Sequence, residues 1–271
     1  MKYMKKIPLF MIVGILSIIA LFPFYIMLIM GTYVNEDLFT GIKLLPGNYL
    51  INNLNTVFSR SFLGFYLNSL YIAVVVSVGS TFICSMAGFA FSKYRFKLKS
   101  ALFFFILGTL MVPGQLGLVG FVIEMRWFKM MNTHWPLILP PLANAFGVFW
   151  MKQYIGGAVP NELLESARVD GSSDFRTFMQ IVLPIIKPAL ITIFLLSFLG
   201  AWNSYLIPLV VLDKEKLYTI PLSISMLGTI HRTDFAARIL ALALSTIPII
   251  IIFSTGSQYL IQGLTAGSVK E

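Results

Sequence analysis

Residues 61–92 read SFLGFYLNSLYIAVVVSVGSTFICSMAGFAFS, a stretch of 32 residues without an aspartate, glutamate, lysine or arginine. A helix needs only ~20 apolar residues to cross the ~30 Å hydrocarbon core of a bilayer. Backbone amides and carbonyls find no water at that depth, so the chain there must form a helix or a closed barrel. The next residues, KYRFKLK at 93–99, hold four basic side chains and no acidic one. Together the two segments predict a membrane span that ends at a strongly basic loop.

Five further windows also lack these four charged residue types: 7–35, 100–123, 130–151, 188–212 and 239–269. Each of them is long enough to span a bilayer as a helix. Runs such as Phe103-Phe104-Phe105 do not alternate, whereas the strands of a membrane barrel would. We therefore predict an all-α integral membrane protein with six transmembrane helices, near 9–31, 67–91, 100–123, 134–154, 186–209 and 239–262. The charge-free stretches 44–59 and 217–230 contain proline and glycine, and we assign them to loops.

The composition supports a membrane protein and excludes a soluble domain of this size. Hydrophobic residues make up 58% of the chain and charged residues 11%, whereas soluble domains are about a quarter charged. The net charge of +9 follows from lysine and arginine at the ends of spans and in inner loops. No basic stripe with interleaved aromatic residues indicates nucleic-acid binding. The single cysteine, Cys84, cannot form an internal disulfide.

The distribution of basic residues predicts which ends of the spans face the cytoplasm. With the N-terminus inside, the inner segments hold twelve of the 20 lysines and arginines and the outer segments eight. The short loop 93–99 decides the orientation, because short basic loops stay on the cytoplasmic side. Residues 1–6 are basic, but the apolar stretch after them is too long for a signal peptide and lacks a cleavage site. We expect an uncleaved first span and two cytoplasmic termini, in the inner or plasma membrane.

Prolines interrupt several predicted spans. Proline removes a backbone donor and bends a helix, and broken helices are tolerated in a membrane where the freed groups line a cavity. Any one proline can simply adjust packing, whereas several together favour a protein that lines a pathway. The positions concerned are Pro23, Pro113-Gly114, Pro140-Pro141, Pro208 and Pro248.

The inner loop 155–185 has the pattern of two short helices. The first is predicted to begin at Pro160-Asn161 with Asn161 as its cap and to end at Asp170-Gly171, where glycine can take a left-handed conformation. Leu163, Leu164 and Ala167 are expected to share one face. The second helix is predicted to begin at Ser172 or Ser173. A charged, structured loop on the inner surface is typical of a docking element, although each charged residue alone fits a solvated connector equally well.

This loop carries a spaced motif that resembles a known family. Glu165-Ser166-Ala167 is followed after three residues by Gly171, and after nine more by Ile181, one residue and Leu183-Pro184. The spacing resembles the "EAA" loop of ABC importer permeases, with Ser166 where the family pattern has alanine. Asp170, the segment LPPLANAFG at 139–147 and the ending GLTAGSVK at 263–270 resemble the carbohydrate branch. The closest likeness is to the smaller permease of maltodextrin and multiple-sugar systems.

The resemblance implies a type I ABC importer permease fold and a set of partner proteins. These partners are a second homologous permease, a homodimeric ABC ATPase and an extracytoplasmic sugar-binding protein, with membrane lipid around the spans. The chain contains no G-x-x-x-x-G-K-[ST] phosphate loop, so ATP and magnesium are expected on the ATPase and no cofactor or catalysis here. The residues implied in ATPase coupling are Glu165, Ser166, Ala167, Asp170, Gly171, Leu183 and Pro184.

Polar and aromatic residues within the spans are the candidates for contact with a sugar cargo: Asn68, Gln115, Asn144, Trp202, Asn203 and Tyr205. Each can equally join helices or sit at the membrane interface. His134 and His231 stand alone in outer loops and are expected to be surface residues, and no metal-ligand cluster is apparent. Two alternatives to a sugar permease remain. The cargo could be a phosphorylated polyol, or the protein could be a membrane scaffold that transports nothing.

Overall fold

The computed structural model describes residues 7–59, 61–227 and 234–265. Within these ranges the regular secondary structure is helical and contains no β-strand. The α-helices are α1 Ile7–Met30, α2 Leu50–Phe58, α3 Phe62–Lys93, α4 Lys99–Thr109, α5 Leu118–Trp127, α6 Trp135–Leu142, α7 Ala145–Ala158, α8 Asn161–Val169, α9 Asp174–Thr177, α10 Leu183–Ile185, α11 Lys187–Trp202, α12 Leu206–Val211, α13 Ile220–Ser225, α14 Phe235–Ser245 and α15 Ile247–Thr265. A π-helical turn, Phe178–Val182, joins α9 to α10.

By length and composition, three helical stretches of the described chain can cross a membrane: Pro8–Met30, Phe62–Lys93 and Phe235–Tyr259, the last of which joins α14 and α15. They coincide with the first, second and sixth predicted spans. Two further helix pairs reach that length only if a sharp bend is included. The pair 99–109 and 114–127 bends by 87°, and the pair 174–185 and 187–202 bends by 84°.

The predicted third, fourth and fifth spans are therefore not straight helices. The third breaks after Thr109, next to Pro113, which has no backbone donor and restricts the residue before it. The fourth breaks at Ala143 and Asn144, just beyond Pro140-Pro141. The fifth ends at Trp202, and α12 begins at Leu206. The number of spans and the side of each terminus stay predictions.

The chain divides into two compact units. The first comprises the described parts of residues 1–66 and 220–248, where α14 packs on α1, α2 and α13. In this unit the amide of Asn53 donates to the carbonyls of Gly31 and Tyr33, at 2.8 Å each. Asp234 caps α14 by accepting a hydrogen bond from the Ala237 amide.

The second unit comprises the described parts of residues 67–219 and 249–271, and holds a large apolar core on α3, α7 and the helices of the inner loop. Close contact of α3 with α7 builds this core. A Cβ atom at Gly88 would lie 2.4 Å from the Cβ of Met151 and 2.8 Å from the backbone nitrogen of Lys152. Small residues let membrane helices approach this closely, and packing is the main force that joins helices in lipid.

Candidate functional site

The inner loop forms a pair of helices joined by a tight turn. The Gly171 backbone is left-handed, with φ +76°. The Gly171 amide donates to the Arg168 carbonyl at 3.0 Å, and the Ser172 amide donates to the Ala167 carbonyl at 2.9 Å. This is a Schellman ending of α8. Ser173 caps α9 by accepting a hydrogen bond from the Arg176 amide. The glycine turn and the start of the second helix agree with the sequence prediction.

One detail of the predicted first helix is wrong. Asn161 is the first residue of α8, and its side chain does not cap the helix. It instead accepts a hydrogen bond from the Lys93 ammonium at 3.1 Å. Leu164 and Ala167 are buried, but Leu163 is exposed. This face of α8 packs against the rest of the chain. Ala167 therefore contributes to internal packing and is not exposed to a partner.

The exposed side of the helix pair presents both charge and apolar surface. Glu165, Ser166, Asp170, Gly171 and Pro184 are all exposed, and Leu183 is half-buried. Large apolar side chains stand among them in solvent: Val169 is 87% exposed, Phe175 60% and Met179 40%. Exposed apolar groups rimmed by polar residues mark protein interaction sites. Of the seven predicted coupling residues, Ala167 is the buried one.

The end of α3 holds this helix pair in place. The Lys93 ammonium donates to the Val159 carbonyl at the end of α7 and to the Asn161 side chain at the start of α8. Lys93 thus joins three helices at one point. The Val159 carbonyl lies at the end of α7, where backbone carbonyls have no partner within the helix.

A second set of contacts ties the loop after α3 to both inner helices. Arg168 forms an ion pair with Asp174 at 3.4 Å and lies 5.8 Å from the centre of the Tyr94 ring. Burial raises the pKa of the Tyr94 hydroxyl, and the Asp174 carboxylate raises it further, while Arg168 opposes the shift. The Phe89 ring stacks on Phe178 with centroids 5.5 Å apart. These contacts join the inner helices to α3 and to the residue that follows it.

A cavity of about 400 Å³ lies where three broken helices meet. Thr109 and Leu110 reach it at the first break, Ala143 and Asn144 at the second, and Ser204 at the third. Discontinuous helices of this kind build the binding sites of many transporters near the middle of the membrane. The polar residues that line the cavity are Thr109, Asn144, Ser197, Ser204 and Thr219.

The segment 216–219 closes one side of the cavity and is held from two directions. The Asn68 amide donates to the carbonyls of Lys216 and Tyr218, at 2.9 and 3.0 Å. Nε2 of His134 lies 3.0 Å from the Leu217 carbonyl and must carry the hydrogen, because the carbonyl only accepts. The sequence had predicted an isolated surface residue at His134. The structure shows instead that His134 contacts the segment 216–219. His231 lies outside the described residues.

The six predicted cargo residues occupy different places. Asn144 lines the cavity and caps α7 through its side-chain oxygen, and Asn68 fixes the segment 216–219. Trp202 is 2% exposed and stacks on Phe198, within the protein interior. The remaining three residues are exposed and do not line the cavity: Gln115, Asn203 and Tyr205.

Sequence reasoning missed four of the five polar lining residues. Thr109, Ser197 and Ser204 are small and common in membrane helices, so they carry no distinctive signal by themselves. Thr219 lies in a stretch assigned to a loop. The one available signal was the proline and glycine near the breaks, which marks irregular backbone but not the side chains that collect there. Within the described residues, no cluster of His, Cys, Asp or Glu could hold a metal ion.

The bent helices, the cavity at their breaks and the inner helix pair are the features of a membrane permease of the ABC importer type. The family described as binding-protein-dependent transport system inner membrane component matches residues 79–265. That is more than half of the chain, and the chain belongs to this family.

Relatives with known names cover almost the whole chain. The arabinooligosaccharide transport permease AraQ of Halalkalibacterium halodurans is 31% identical, over 94% of this chain and 93% of its own. The sn-glycerol-3-phosphate transport permease UgpE of Salmonella typhi is 33% identical over 91% of each chain. A solved bacterial ABC transporter that imports the acidic polysaccharide alginate contains a chain with TM-score 0.76 and 25% identity, covering 95% of this chain and 96% of that one.

Proposed function

We propose that this chain forms half of the translocation pathway of an ATP-driven oligosaccharide importer. The observation that carries the proposal is the exposed helix pair with the motif Glu165-Ser166-Ala167 and Gly171, in a chain that belongs to a permease family. The AraQ relative, named for arabinooligosaccharides, supports a sugar cargo. The relatives named here are transport permeases or transporter chains, which supports a subunit that catalyses no reaction itself.

The inner loop 155–185 is the proposed contact with the ATPase. Glu165 is exposed on α8 and can accept a charge-assisted hydrogen bond from a basic residue of the partner. The exposed Val169, Phe175 and Met179 supply apolar area around it. Lys93 and the Arg168–Asp174 pair connect this contact to α3 and α7, so ATP-driven closure of the ATPase would move the membrane helices.

The other proposed partners follow from the same assignment. A second, homologous permease completes the pathway, two copies of an ABC ATPase bind ATP and magnesium, and an extracytoplasmic sugar-binding protein delivers the cargo. The binding protein would meet the outer loops. In these loops, the Asn132 side-chain oxygen accepts a hydrogen bond from the Asp213 amide, in the segment after α12. Six spans and two cytoplasmic termini remain part of the proposal.

ATP hydrolysis by the co-purified complex in lipid nanodiscs tests this function. The binding protein is added with arabinotriose, an alginate oligosaccharide or sn-glycerol 3-phosphate, and phosphate release is measured. We expect stimulation by a sugar, at least about tenfold weaker in Glu165→Ala, because the substitution removes a charged partner of the contact. Gly171→Pro should abolish it, since proline cannot adopt φ +76°.

Glu124→Ala is the matched control, because Glu124 is also an exposed helical glutamate but lies on α5. It should retain full stimulation. If no ATPase co-purifies with the wild-type chain, the permease function is wrong. If sn-glycerol 3-phosphate alone stimulates hydrolysis, the sugar cargo is wrong while the permease function stands.

A further inference from the structure

We infer that the 400 Å³ cavity is a cargo subsite for an uncharged, hydroxyl-rich molecule, and that the Thr219 hydroxyl is its principal hydrogen-bonding group. The inference rests on the proposed import function and adds a residue and a charge class to it. No cargo-binding role of this subunit is needed for the proposal above, because the second permease could hold the cargo alone.

Thr219 is the observation that points to a ligand. Its side chain is 4% exposed and lines the cavity, and its hydroxyl has no hydrogen-bond partner in the protein. An unpaired buried hydroxyl costs roughly 1–3 kcal/mol, and a cargo hydroxyl in the cavity that pairs with Thr219 would remove that cost. Asn68 and His134 fix the segment around Thr219 through three backbone carbonyls. The hydroxyl is thus presented on a rigid segment.

The groups around the cavity both donate and accept hydrogen bonds. The carbonyl ends of α4, α6 and α11 reach it, and so does the amide end of α7. The side chains add four hydroxyls and one amide, from Thr109, Ser197, Ser204, Thr219 and Asn144. Thr109 and Ser197 already donate their hydroxyl hydrogens to the Ile106 carbonyl and to Ser80 and offer only acceptor oxygens, and the Asn144 side-chain oxygen already accepts from the Gly147 amide. A sugar hydroxyl also donates and accepts, so it can use both kinds of group. A phosphate oxygen without a proton only accepts, so it cannot use the acceptor oxygens of the lining.

The charge of the lining excludes a strongly anionic cargo at this subsite. Among the described residues that line the cavity, none is lysine, arginine, histidine, aspartate or glutamate. A buried anion without a countercharge is far more costly than a buried hydroxyl that is hydrogen-bonded. The relatives split on this point, since the names of UgpE and of the alginate transporter specify anionic cargo and that of AraQ a neutral sugar. The uncharged lining of the cavity favours a neutral cargo for this chain.

The size and depth of the cavity also fit a cargo on its way across the membrane. Its volume lies within the roughly 300–1,000 Å³ of small-molecule pockets. Helix α4 has 11 residues before its break, so at 1.5 Å per residue the break lies ~16 Å from its start, about half of the hydrocarbon thickness. The cavity therefore lies close to the level where alternating-access transporters hold their cargo.

The first test removes the hydroxyl while keeping the shape of the side chain. In vesicles that hold the complete complex, uptake of arabinotriose is compared with uptake of deoxy analogues that each lack one hydroxyl. One analogue should lack the hydroxyl that pairs with Thr219, and the wild type should take up the parent sugar faster than this analogue. In Thr219→Val we expect this ratio of uptake rates to fall by about three- to tenfold, which corresponds to one hydrogen bond. Discrimination by the binding protein is the same in both samples and cancels in the ratio.

Thr81→Val is the matched control. Thr81 also has a buried hydroxyl without a hydrogen-bond partner, but it does not line the cavity. Its variant should keep the wild-type preference for every analogue. If Thr219→Val keeps it as well, the hydroxyl does not contact cargo and the inference is overturned.

The second test fills the cavity. Gly200 lines it and has open space where a Cβ would be placed, so Gly200→Leu extends into the cavity without a clash at that atom. Leucine is also a better helix former than glycine. We expect at least a tenfold loss of arabinotriose uptake with normal assembly of the complex. Gly14→Leu, also at an open helical position but on α1, should transport normally.

Each result has a distinct meaning. Normal uptake by Gly200→Leu would overturn the inference, and so would loss of the second permease on purification, which would show that the partner fills the cavity. If the wild type takes up sn-glycerol 3-phosphate and Gly200→Leu blocks this uptake, the cavity accepts an anionic cargo and the inferred charge class is overturned. If the wild type transports no sugar in the presence of its binding protein, the proposed function itself fails before the variants are compared.

Discussion

At the residue scale, Gly88 sets the distance between α3 and α7. A methyl group there would overlap the Met151 side chain and the Lys152 backbone, and neither contact is the far end of a flexible chain. Backbone atoms cannot move aside without shifting a whole helix. The absence of a side chain at Gly88 therefore determines how closely α3 and α7 can pack.

Gly88→Ala should destabilise the protein by about 1–3 kcal/mol, the usual cost of overpacking a core. The measurement is thermal unfolding in detergent, followed by the fraction that stays monodisperse on size-exclusion chromatography. Gly14→Ala is the control, because a Cβ there meets nothing within 4 Å. Equal midpoints for the two variants would show that α3 and α7 do not depend on this contact.

At the element scale, Lys93 links α3 to α7 and α8, two consecutive helices that lie far from it in the sequence. The ammonium group contacts the end of α7 and the start of α8, 66 and 68 residues away. The link runs through the polar ends of helices, where carbonyls need partners. Lys93 therefore belongs to the mechanical connection between the inner loop and α3, without contacting cargo or nucleotide in this chain.

We expect Lys93→Gln to lower the number of sugar molecules imported per ATP hydrolysed by about tenfold, since hydrogen bonds to a charged group contribute roughly 1.5–3 kcal/mol each. Basal hydrolysis should persist. Uptake and phosphate release are measured on the same vesicles. Lys97→Gln, an exposed lysine of the same loop, is the control, and Lys93→Arg should restore part of the ratio. A parallel fall of both rates would indicate loss of structure instead of loss of coupling.

At the scale of the whole molecule, the predicted topology places the basic loop 93–99 inside and the loop after α1 outside. The described chain has three helical stretches of sufficient length and apolar character, or up to five if each bent pair is one span. The predicted orientation rests on the lysine and arginine distribution. Each compact unit is built from two separate segments of the chain. Helices that are not neighbours in the sequence therefore pack together within each unit.

Cysteine labelling tests the topology. Cys84 is buried and is the single cysteine, so Cys84→Ser provides a background without reactive thiols. In intact cells or spheroplasts we expect an impermeant maleimide to react with Ile42→Cys, at a position 81% exposed. Lys97→Cys should react only after permeabilisation. The reverse pattern would invert the predicted orientation.

Much of the local structure could be predicted from sequence. Charge-free windows identified α1 and α3 because a bilayer accepts few other sequences, and Gly171 marked the turn because a left-handed residue favours glycine. The side-chain partners could not be predicted in the same way. Asn161 was expected to cap its own helix, but Lys93 from a distant segment binds it instead.

The sequence by itself determined that this is a helical membrane protein with a loop motif that resembles that of importer permeases. It could do so because hydrophobic length, charge position and motif spacing are local properties. Only the tertiary structure decided which residues surround the cavity. The three helix breaks and Thr219 come from separate segments, and Asn68 holds carbonyls 148 and 150 residues away. Contacts over such distances depend on how whole helices pack, and no local pattern records them.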